Sequence, residues 1–324
     1  MLGFVWAVNE ATVVDASKCP VCGGNDHRVC VRRGDGAMVH AAIGSSRTEV
    51  SPGIVLRCRS CGHGFRRGSF SDAELGELYA SMDTSRYESE GPCRLKTARR
   101  HMSLVQSSNG PQGGRLLDVG CASGVFLESA AQSGWQVSGI EPNRNLAHAA
   151  MGRLKSAHIE NSTLAEAQLP PGSFDVVSAW DVLEHVPDPT AFLRQCAGFL
   201  KPKGVLWIKV PDIGSPQARV MGDKWPIYLP EHLGYFSRRS LTLCAENAGL
   251  RIVRLTRSPV TFSAGYIFYR AAQHSVPFAR VMRRLIDGAG LANFPISLYL
   301  GEMYACMRMN RGRMASPIAC EEPV

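Results

Sequence analysis

A short strand-turn-helix signature constrains this chain of 324 residues more than any other feature. The apolar residues at positions 116–119 predict a buried strand, and Asp118 stands near its carboxyl end. Gly120 and Gly124 allow the backbone to turn sharply and to approach a ligand closely. Open α/β sheets bind their ligands at the carboxyl ends of the strands. The signature therefore predicts an α/β sheet with a ligand site at this turn.

The spacing of the turn narrows the class of ligand. Its pattern, D-x-G-x-x-x-G at positions 118–124, differs from the G-x-G-x-x-G turn of dinucleotide-binding folds. It also differs from the phosphate loop of nucleotide hydrolases, which ends in Gly-Lys-Ser or Gly-Lys-Thr. Because no lysine directly follows Gly124, a nucleoside triphosphate is a poor candidate for the ligand.

A second predicted strand, at positions 135–140, ends beside Glu141. Glu141 follows Asp118 by about 20 residues, the spacing of the ribose-binding carboxylate in nucleotide-binding α/β units. A carboxylate at this place accepts hydrogen bonds from ribose hydroxyls. The alternative is an acidic residue that favours the start of the next helix. We expect the ribose role because the glycine-rich turn lies upstream.

Further segments follow in the order of an alternating α/β sheet. Asp181 is placed to cap a helix that begins directly after a strand. Positions 201–204 and 247–249 predict glycine-ended turns that lead from a helix into a strand. The runs predicted as strands are positions 174–180, 205–211, 251–255 and 298–307.

Taken in order, these segments resemble the class I S-adenosylmethionine (SAM) dependent methyltransferases over residues 112–310. The resemblance implies an α/β fold with a Rossmann-like, seven-stranded, doubly wound sheet. It also implies SAM as cofactor and methyl transfer as the reaction. Cys121 would then serve as a small residue beside the cofactor, not as a nucleophile. The implied cofactor contacts are Asp118, Gly120, Cys121, Gly124, Glu141, Thr163, Leu164 and Asp181.

Two Cys-x-x-Cys pairs predict a metal site formed by Cys19, Cys22, Cys58 and Cys61. Four thiolates in a tetrahedron suit a structural zinc ion, and a hairpin across positions 29–55 would bring the pairs together. Two disulfides of a secreted domain are the alternative, but the first residues lack the basic start and cleavage site of a signal peptide. A redox pair is a further alternative that the presence of two pairs disfavours.

Composition limits the cellular compartment, the charge of the partners and the presence of membrane spans. The other cysteines show no paired spacing and, with the predicted zinc site, indicate a reducing cytoplasm. The formal net charge of +8 favours anionic partners without identifying them. No apolar run reaches the ~18 residues of a membrane-spanning helix.

We expect three parts in the chain. They are a zinc-binding module at residues 1–70, a helical linker or lid at 71–111 and the methyltransferase domain at 112–324. The linker is predicted to contain helices at positions 72–80 and 95–105. In related methyltransferases a helix before the glycine-rich turn packs over the cofactor cleft, so Tyr79, Tyr87 and Arg94 are candidates for the acceptor side. Ordinary packing and surface charge explain these three residues equally well.

Two histidines are candidates for acceptor chemistry. His185 follows the predicted strand at 174–180, and His232 lies in Pro-Glu-His-Leu-Gly-Tyr-Phe-Ser at 230–237. The second stretch resembles the methyltransferase-23-like subfamily, many of whose members act on sugars, glycans or specialised metabolites. A neutral histidine can accept a proton, and we favour His232 over His185 as the base or orienting residue. Ser237 is predicted to cap the next helix.

Two other functional classes remain open. Certain rRNA methyltransferases and certain sugar C-methyltransferases also carry an N-terminal zinc segment, and the basic charge supports RNA binding weakly. A zinc-ribbon binding protein with a degenerate SAM fold is the non-enzyme alternative, which the intact Asp118, Gly120, Gly124 and Glu141 disfavour. We therefore predict methyl transfer to a small-molecule, sugar or glycan acceptor, with the oligomeric state undetermined.

Overall fold

The structure, a computed structural model, describes residues 18–32, 53–67, 90–107, 113–229, 231–273 and 277–310. Elements are numbered here over these residues alone. The strands are β1 His27–Arg32, β2 Ile54–Cys58, β3 Gly64–Arg66, β4 Gly114–Val119, β5 Trp135–Ile140, β6 His158–Glu160, β7 Phe174–Trp180, β8 Leu200–Pro211, β9 Gly234–Tyr235, β10 Leu250–Thr256, β11 Val260–Ser263, β12 Pro295–Leu298 and β13 Glu302–Met309. The helices are α1 Gly91–Gln106, α2 Val125–Gln132, α3 Arg144–Arg153, α4 Pro189–Gly198, α5 Pro216–Met221, α6 Arg238–Asn247, α7 Ala264–Gln273 and α8 Pro277–Gly288.

Seven strands form the central sheet in the order β10-β13-β8-β7-β4-β5-β6. Strands β4 to β8 pair in parallel, while β13 runs antiparallel to both of its neighbours. The central strands are buried along nearly their whole length, which is why they appear in the sequence as continuous apolar runs. The predicted Rossmann-like, seven-stranded sheet is confirmed.

One predicted strand was wrong in its bounds, and one predicted turn lies within a strand. The single last strand at positions 298–307 is divided into the end of β12 and the start of β13, with Gly301 at φ +103° between them. The predicted turn at positions 201–204 lies inside β8, where Leu200 pairs with Phe174 and Val205 pairs with Val176. These four residues stand opposite one residue of β7, and a Cβ on Gly204 would lie 3.1 Å from the carbonyl oxygen of Lys201, so the chain does turn here, within the span of β8.

The N-terminal residues form a second, four-stranded sheet in the order β1-β2-β3-β9. The predicted hairpin is confirmed, because β1 and β2 pair antiparallel with Val31 opposite Val55. Strand β9 comes from the later part of the chain and pairs with β3, with Phe65 opposite Gly234. The pairing of β3 with β9 therefore attaches the cysteine-containing segments to the larger domain.

Helix α1 confirms the second helix predicted in the linker and begins four residues earlier, with Pro92 in its first turn. It packs on α2 and on a small insertion made of β11, α7, α8 and β12. Arg100 binds this insertion by donating to Thr261 Oγ1 at 2.6 Å and to Ser297 Oγ at 2.8 Å. The predicted helix at 72–80, with Tyr79 and Tyr87, lies outside the described residues. Among the residues described, no helix is long and apolar enough to cross a membrane.

Gly139 in β5 gives a test of this packing. A Cβ there would lie 2.6 Å from Cys121 Sγ and 2.8 Å from Leu127 Cδ1, so we expect Gly139→Ala to destabilise the protein by about 2 kcal/mol through overpacking. The control is Gly152→Ala in α3, where a Cβ meets nothing within 4 Å. Because alanine favours a helix, the control should gain up to about 1 kcal/mol. Urea denaturation measures both values, and an equal effect of the two changes would contradict the packing described for β5.

Candidate functional site

The glycine-rich turn after β4 is tied to the end of β5. The amides of Gly120 and Cys121 both donate to the carbonyl of Ile140, at 2.8 and 3.1 Å. Gly120 and Gly124 have φ values of +75° and +77°, in the left-handed region that glycine tolerates best. The turn thus lies at the carboxyl edge of the sheet, where β4 and β5 end together.

Glu141 lies directly across this turn. Its Oε2 accepts from the amide of Ala122 at 2.8 Å, and its Oε1 accepts from the amide of Asn143 at 2.8 Å. Burial raises the pKa of Glu141 to about 7, although these two hydrogen bonds act in the opposite direction. The carboxylate therefore joins the glycine-rich turn to Asn143, the residue that caps α3. Glu141 thus lies where a ribose-binding carboxylate is predicted and also beside the start of a helix, as the alternative interpretation expected.

Asp118 is buried beneath the turn. Ser178 on the neighbouring strand β7 donates to its Oδ1 at 2.6 Å. Burial raises the pKa of Asp118 to about 8, and the nearby Glu141 carboxylate adds to the rise. Sequence reasoning did not identify Ser178, whose proximity to Asp118 depends on the pairing of β4 with β7.

The remaining predicted cofactor residues surround the same edge. Cys121 is buried, and burial followed by the charges of Glu141 and Asp118 raises the pKa of its thiol well above the usual value, which disfavours a nucleophilic role. Thr163 donates its hydroxyl to Glu166 Oε2 at 2.8 Å. Leu164 packs into the apolar core, so a ligand would meet its backbone first. Their contacts with a cofactor stay predictions.

Asp181 does not cap a helix, so that part of the prediction was wrong. The following 3₁₀ turn, Leu183–His185, has Val182 at its N-cap and no capping side chain. Asp181 instead has a φ of +58°, and its carboxylate accepts from Lys209 Nζ at 2.7 Å. The buried ammonium attracts the carboxylate away from the helix start, while about half of the Asp181 side chain stays exposed at the edge of the sheet.

Lys209 is the centre of a buried polar group that sequence reasoning missed. Its Nζ lies 3.8 Å from Glu302 Oε1 as well as next to Asp181. Burial by itself would lower the pKa of Lys209, but the charges of Asp181, Tyr304 and Glu302 outweigh burial and raise it. A lysine inside the apolar run of β8 was the available signal, because an unpaired charge is not tolerated there.

An aromatic group lies beside this lysine at the same edge. His101 of α1 stacks on Trp180 with ring centroids 4.2 Å apart, and its Nε2 lies 3.3 Å from the hydroxyl of Tyr304. Burial lowers the pKa of His101 well below its usual value and keeps the ring neutral. Together with Asp181 and Lys209, these side chains provide hydrogen-bonding groups on the side of the edge that faces α1.

His185 and His232, the two predicted acceptor residues, come together in the structure. Their ring centroids lie 4.8 Å apart, and His185 Nδ1 is 2.9 Å from the carbonyl of Glu231. Burial lowers the pKa of both rings, most strongly for His232. Glu184 Oε1 lies 4.0 Å from His232 Nε2. Ligand atoms of Glu184, His185 and His232 all lie within 4.8 Å of one another, so the trio has the donors to hold a divalent cation.

The four predicted metal ligands also form one cluster. Cys19 Sγ lies 3.6 Å from Cys61 Sγ, and Cys22 Sγ lies 3.5 Å from Cys58 Sγ. All four sulfurs lie within 4.8 Å of one another. Tetrahedral bonds of about 2.3 Å to zinc would place sulfurs about 3.8 Å apart. These distances are too long for disulfide bonds, so the disulfide alternative does not describe this cluster.

The cysteine cluster contacts the segment that carries His232. Ser237 Oγ donates to the carbonyl of Cys61 at 3.0 Å, and the amide of Arg66 donates to the carbonyl of Leu233 at 3.0 Å. His63 packs on Phe236 with ring centroids 4.8 Å apart. Ser237 also begins α6 with a capping box, as predicted for its cap. The segment at 231–237 is therefore held between the cysteine cluster and the sheet.

Comparison with known proteins finds methyltransferases among the relatives of this chain. Two matched relatives are ubiquinone biosynthesis O-methyltransferases. The one from Vibrio cholerae is 37% identical over 106 residues, which cover 31% of this chain and 43% of the relative. The one from Xanthomonas axonopodis pv. citri is 35% identical over 156 residues, which cover 44% of this chain and 62% of the relative. The chain thus spans about half the length of these curated relatives.

Solved structures give a more distant likeness. A magnesium protoporphyrin IX methyltransferase from Synechocystis PCC 6803 with bound SAH has a TM-score of 0.44 at 17% identity, covering 67% of this chain and 84% of that chain. The profile of one family, described as a methyltransferase domain, matches residues 87–255. This match covers more than half of the sequence, and the chain therefore belongs to the methyltransferase-domain family.

Proposed function

We propose that the protein is a SAM-dependent methyltransferase that acts on a small-molecule acceptor. The observation that carries the proposal is the joint position of the glycine-rich turn and Glu141 at the ends of β4 and β5. The donor set fits the cofactor, because a carboxylate for ribose stands beside a backbone turn with two glycines in the left-handed region. Bound SAM would supply an electrophilic methyl group on a sulfonium.

The residues of the turn would bind and orient this cofactor. Glu141 would accept hydrogen bonds from the ribose hydroxyls, and the exposed part of Asp181 would lie at the opposite side of the edge. Thr163 and Leu164 would contact the adenine side, the former held in place by Glu166. Asp118 would act from below the turn through its bond with Ser178. Alignment of the acceptor with the methyl group is then the main requirement for rate.

His232 is the proposed base or orienting residue of the acceptor. Its lowered pKa keeps the ring neutral at pH 7, the form that can accept a hydrogen bond or a proton from the acceptor, while the same shift makes the ring a weaker base than an ordinary histidine. His185 supports it from 4.8 Å away and is itself held by the carbonyl of Glu231. The relatives are O-methyltransferases of ubiquinone biosynthesis, which supports an oxygen on a small molecule as acceptor. A sugar or glycan acceptor, expected from the subfamily resemblance, rests on that resemblance alone.

We also propose a structural zinc ion at the cluster of Cys19, Cys22, Cys58 and Cys61. The spacing of the four sulfurs supports tetrahedral coordination by thiolates. Because the cluster supports β3, and β3 pairs with β9, the ion would stabilise the segment that carries His232. The proposed role of the metal is therefore to maintain the acceptor side of the site, not to take part in methyl transfer.

Titration calorimetry with SAM tests the cofactor proposal. We expect Glu141→Gln to weaken SAM binding about tenfold or more, because a charge-assisted bond to ribose contributes roughly 1.5–3 kcal/mol. The matched control is Glu246→Gln on the exposed surface of α6, which should bind SAM as the wild type does. Equal affinities of all three proteins would refute the ribose role of Glu141, and a wild type that binds no SAM would refute the enzyme.

Labelled SAM tests the acceptor and His232 together. With a small-molecule substrate found by following label into phenols, sugar nucleotides and RNA, we expect His232→Ala to lower kcat by roughly 10²-fold or more while SAM affinity stays unchanged. Since burial lowers the pKa of His232, wild-type turnover should persist at about pH 6, where an ordinary histidine would be protonated. Full turnover in the variant would exclude a role for His232, and label that appears only in RNA would favour the RNA methyltransferase alternative.

Metal analysis tests the cysteine cluster. We expect one zinc ion per chain, lost in Cys58→Ser along with a lower melting temperature, because a structural zinc ion contributes folding energy. The control is Cys30→Ser in β1, a cysteine of the same sheet that is outside the cluster. A wild type with intact fold and little zinc, or equal zinc in Cys58→Ser, would reject the site.

A further inference from the structure

Helix α8 carries large apolar side chains that the rest of the described structure does not cover. Phe278, Val281 and Leu285 are 65%, 54% and 60% exposed, and they follow one another at the spacing of a single helix face. Leu291 and Phe294, just beyond the helix, are 51% and 59% exposed. We call these five residues the apolar stripe. Isolated exposed apolar residues need no explanation, but three on one helix face with two more in the chain that follows do.

The packing of α8 uses a different side of the helix. Ala279 is buried, and Met282 and Ile286 are half-buried, while α8 contacts α7. These inward positions alternate with the stripe at intervals that place them on the adjacent face. The apolar stripe is therefore not the part of α8 that holds the helix onto the domain, so an external partner is free to contact it.

The positive charge beside the apolar stripe limits the chemical class of partner that can bind there. The segment of α8 contains three arginines and one aspartate. Arg283 lies over the ring of Tyr269 at 5.0 Å and approaches Asp287 at 3.6 Å. Arg284 is exposed and follows Val281 by three positions, which places it beside the stripe. The whole chain also has a formal charge of +8. A second copy would bring the same arginines together, so charge favours an anionic partner.

We propose that the apolar stripe docks on an anionic membrane surface, with α8 lying in the plane of the interface. A short helix with a strong division between apolar and basic faces, carrying Phe and Leu at its exposed edge, has the features of an interfacial helix. The stripe lies along a single exposed helix and the chain that follows it, a form suited to insertion among lipid headgroups. Arginine side chains can extend from the edge of such a helix to lipid phosphates.

Helix α8 lies in an insertion close to the candidate site, so docking of α8 would also position that site. The insertion that contains α8 leaves the sheet after β10 and returns at β13, at the same edge as Asp181 and Lys209. It is held on α1 by Arg100 and by Glu90, whose carboxylate accepts from the amide and hydroxyl of Ser263 at 2.9 and 2.6 Å. A docked chain would hold this edge next to the bilayer. That consequence rests on the proposed function, whereas the docking itself does not.

Vesicle co-sedimentation of the full chain tests the proposal. Wild type should bind vesicles of equal parts phosphatidylcholine and phosphatidylglycerol, should bind pure phosphatidylcholine much less, and should be released as salt is raised, because salt screens the basic side chains. Phe278→Ser with Leu285→Ser should reduce binding by about tenfold or more, since both large apolar side chains would lose their burial among the lipids. Arg284→Glu should also weaken binding, while Arg284→Lys should retain it.

The control is Val220→Ser on α5, which removes a side chain 86% exposed on another element and should leave vesicle binding unchanged. Melting temperature and SAM affinity, measured for every variant, separate loss of docking from loss of fold or of the proposed function. No binding by wild type, or equal binding by the stripe variants, would overturn the proposal. Self-association in sedimentation velocity that the same variants abolish would also overturn it, by assigning the stripe to a second copy.

Discussion

Ionisable side chains buried at the carboxyl edge of the sheet are the constraint on which this site depends. Taking a charge out of water costs on the order of several kcal/mol unless a partner compensates. Three of these groups have such a partner: Ser178 for Asp118, backbone amides for Glu141, and Asp181 with Glu302 for Lys209. These hydrogen bonds and ion pairs connect β4, β5, β7, β8 and β13. Because all of them must form together, they fix the positions of the strand ends at this edge.

The cysteine cluster extends this constraint to the segment that carries His232. Its sheet is completed by β9, and Ser237 donates to the carbonyl of Cys61 while starting α6. The segment at 231–237 is thus fixed from two directions, because the amide of Leu233 also donates to the carbonyl of Glu184 at 2.7 Å. The cysteine cluster and a histidine more than 150 residues away therefore belong to one structural unit.

The sequence predicted those parts of the fold and site whose cause is local. The strand at Phe174–Trp180 and the capped start of α6 were found correctly, because apolar periodicity and a capping hydroxyl act over a few residues. The cap at Asp181 was wrong because Lys209, on a neighbouring strand, attracts its carboxylate. The same limit explains why Lys209, Tyr304 and His101 were not recognised as neighbours.

The sequence by itself determined the glycines of the turn, the carboxylates that follow it and the two cysteine pairs, since each depends on the type and spacing of nearby residues. Tertiary structure alone decided that His185 lies beside His232, that Lys209 lies between Asp181 and Glu302, and that the cysteine cluster contacts the segment at 231–237. It also decided which face of α8 stays exposed. The physical reason is that burial and pairing of residues far apart in sequence follow from the packing of whole elements, which no local pattern encodes.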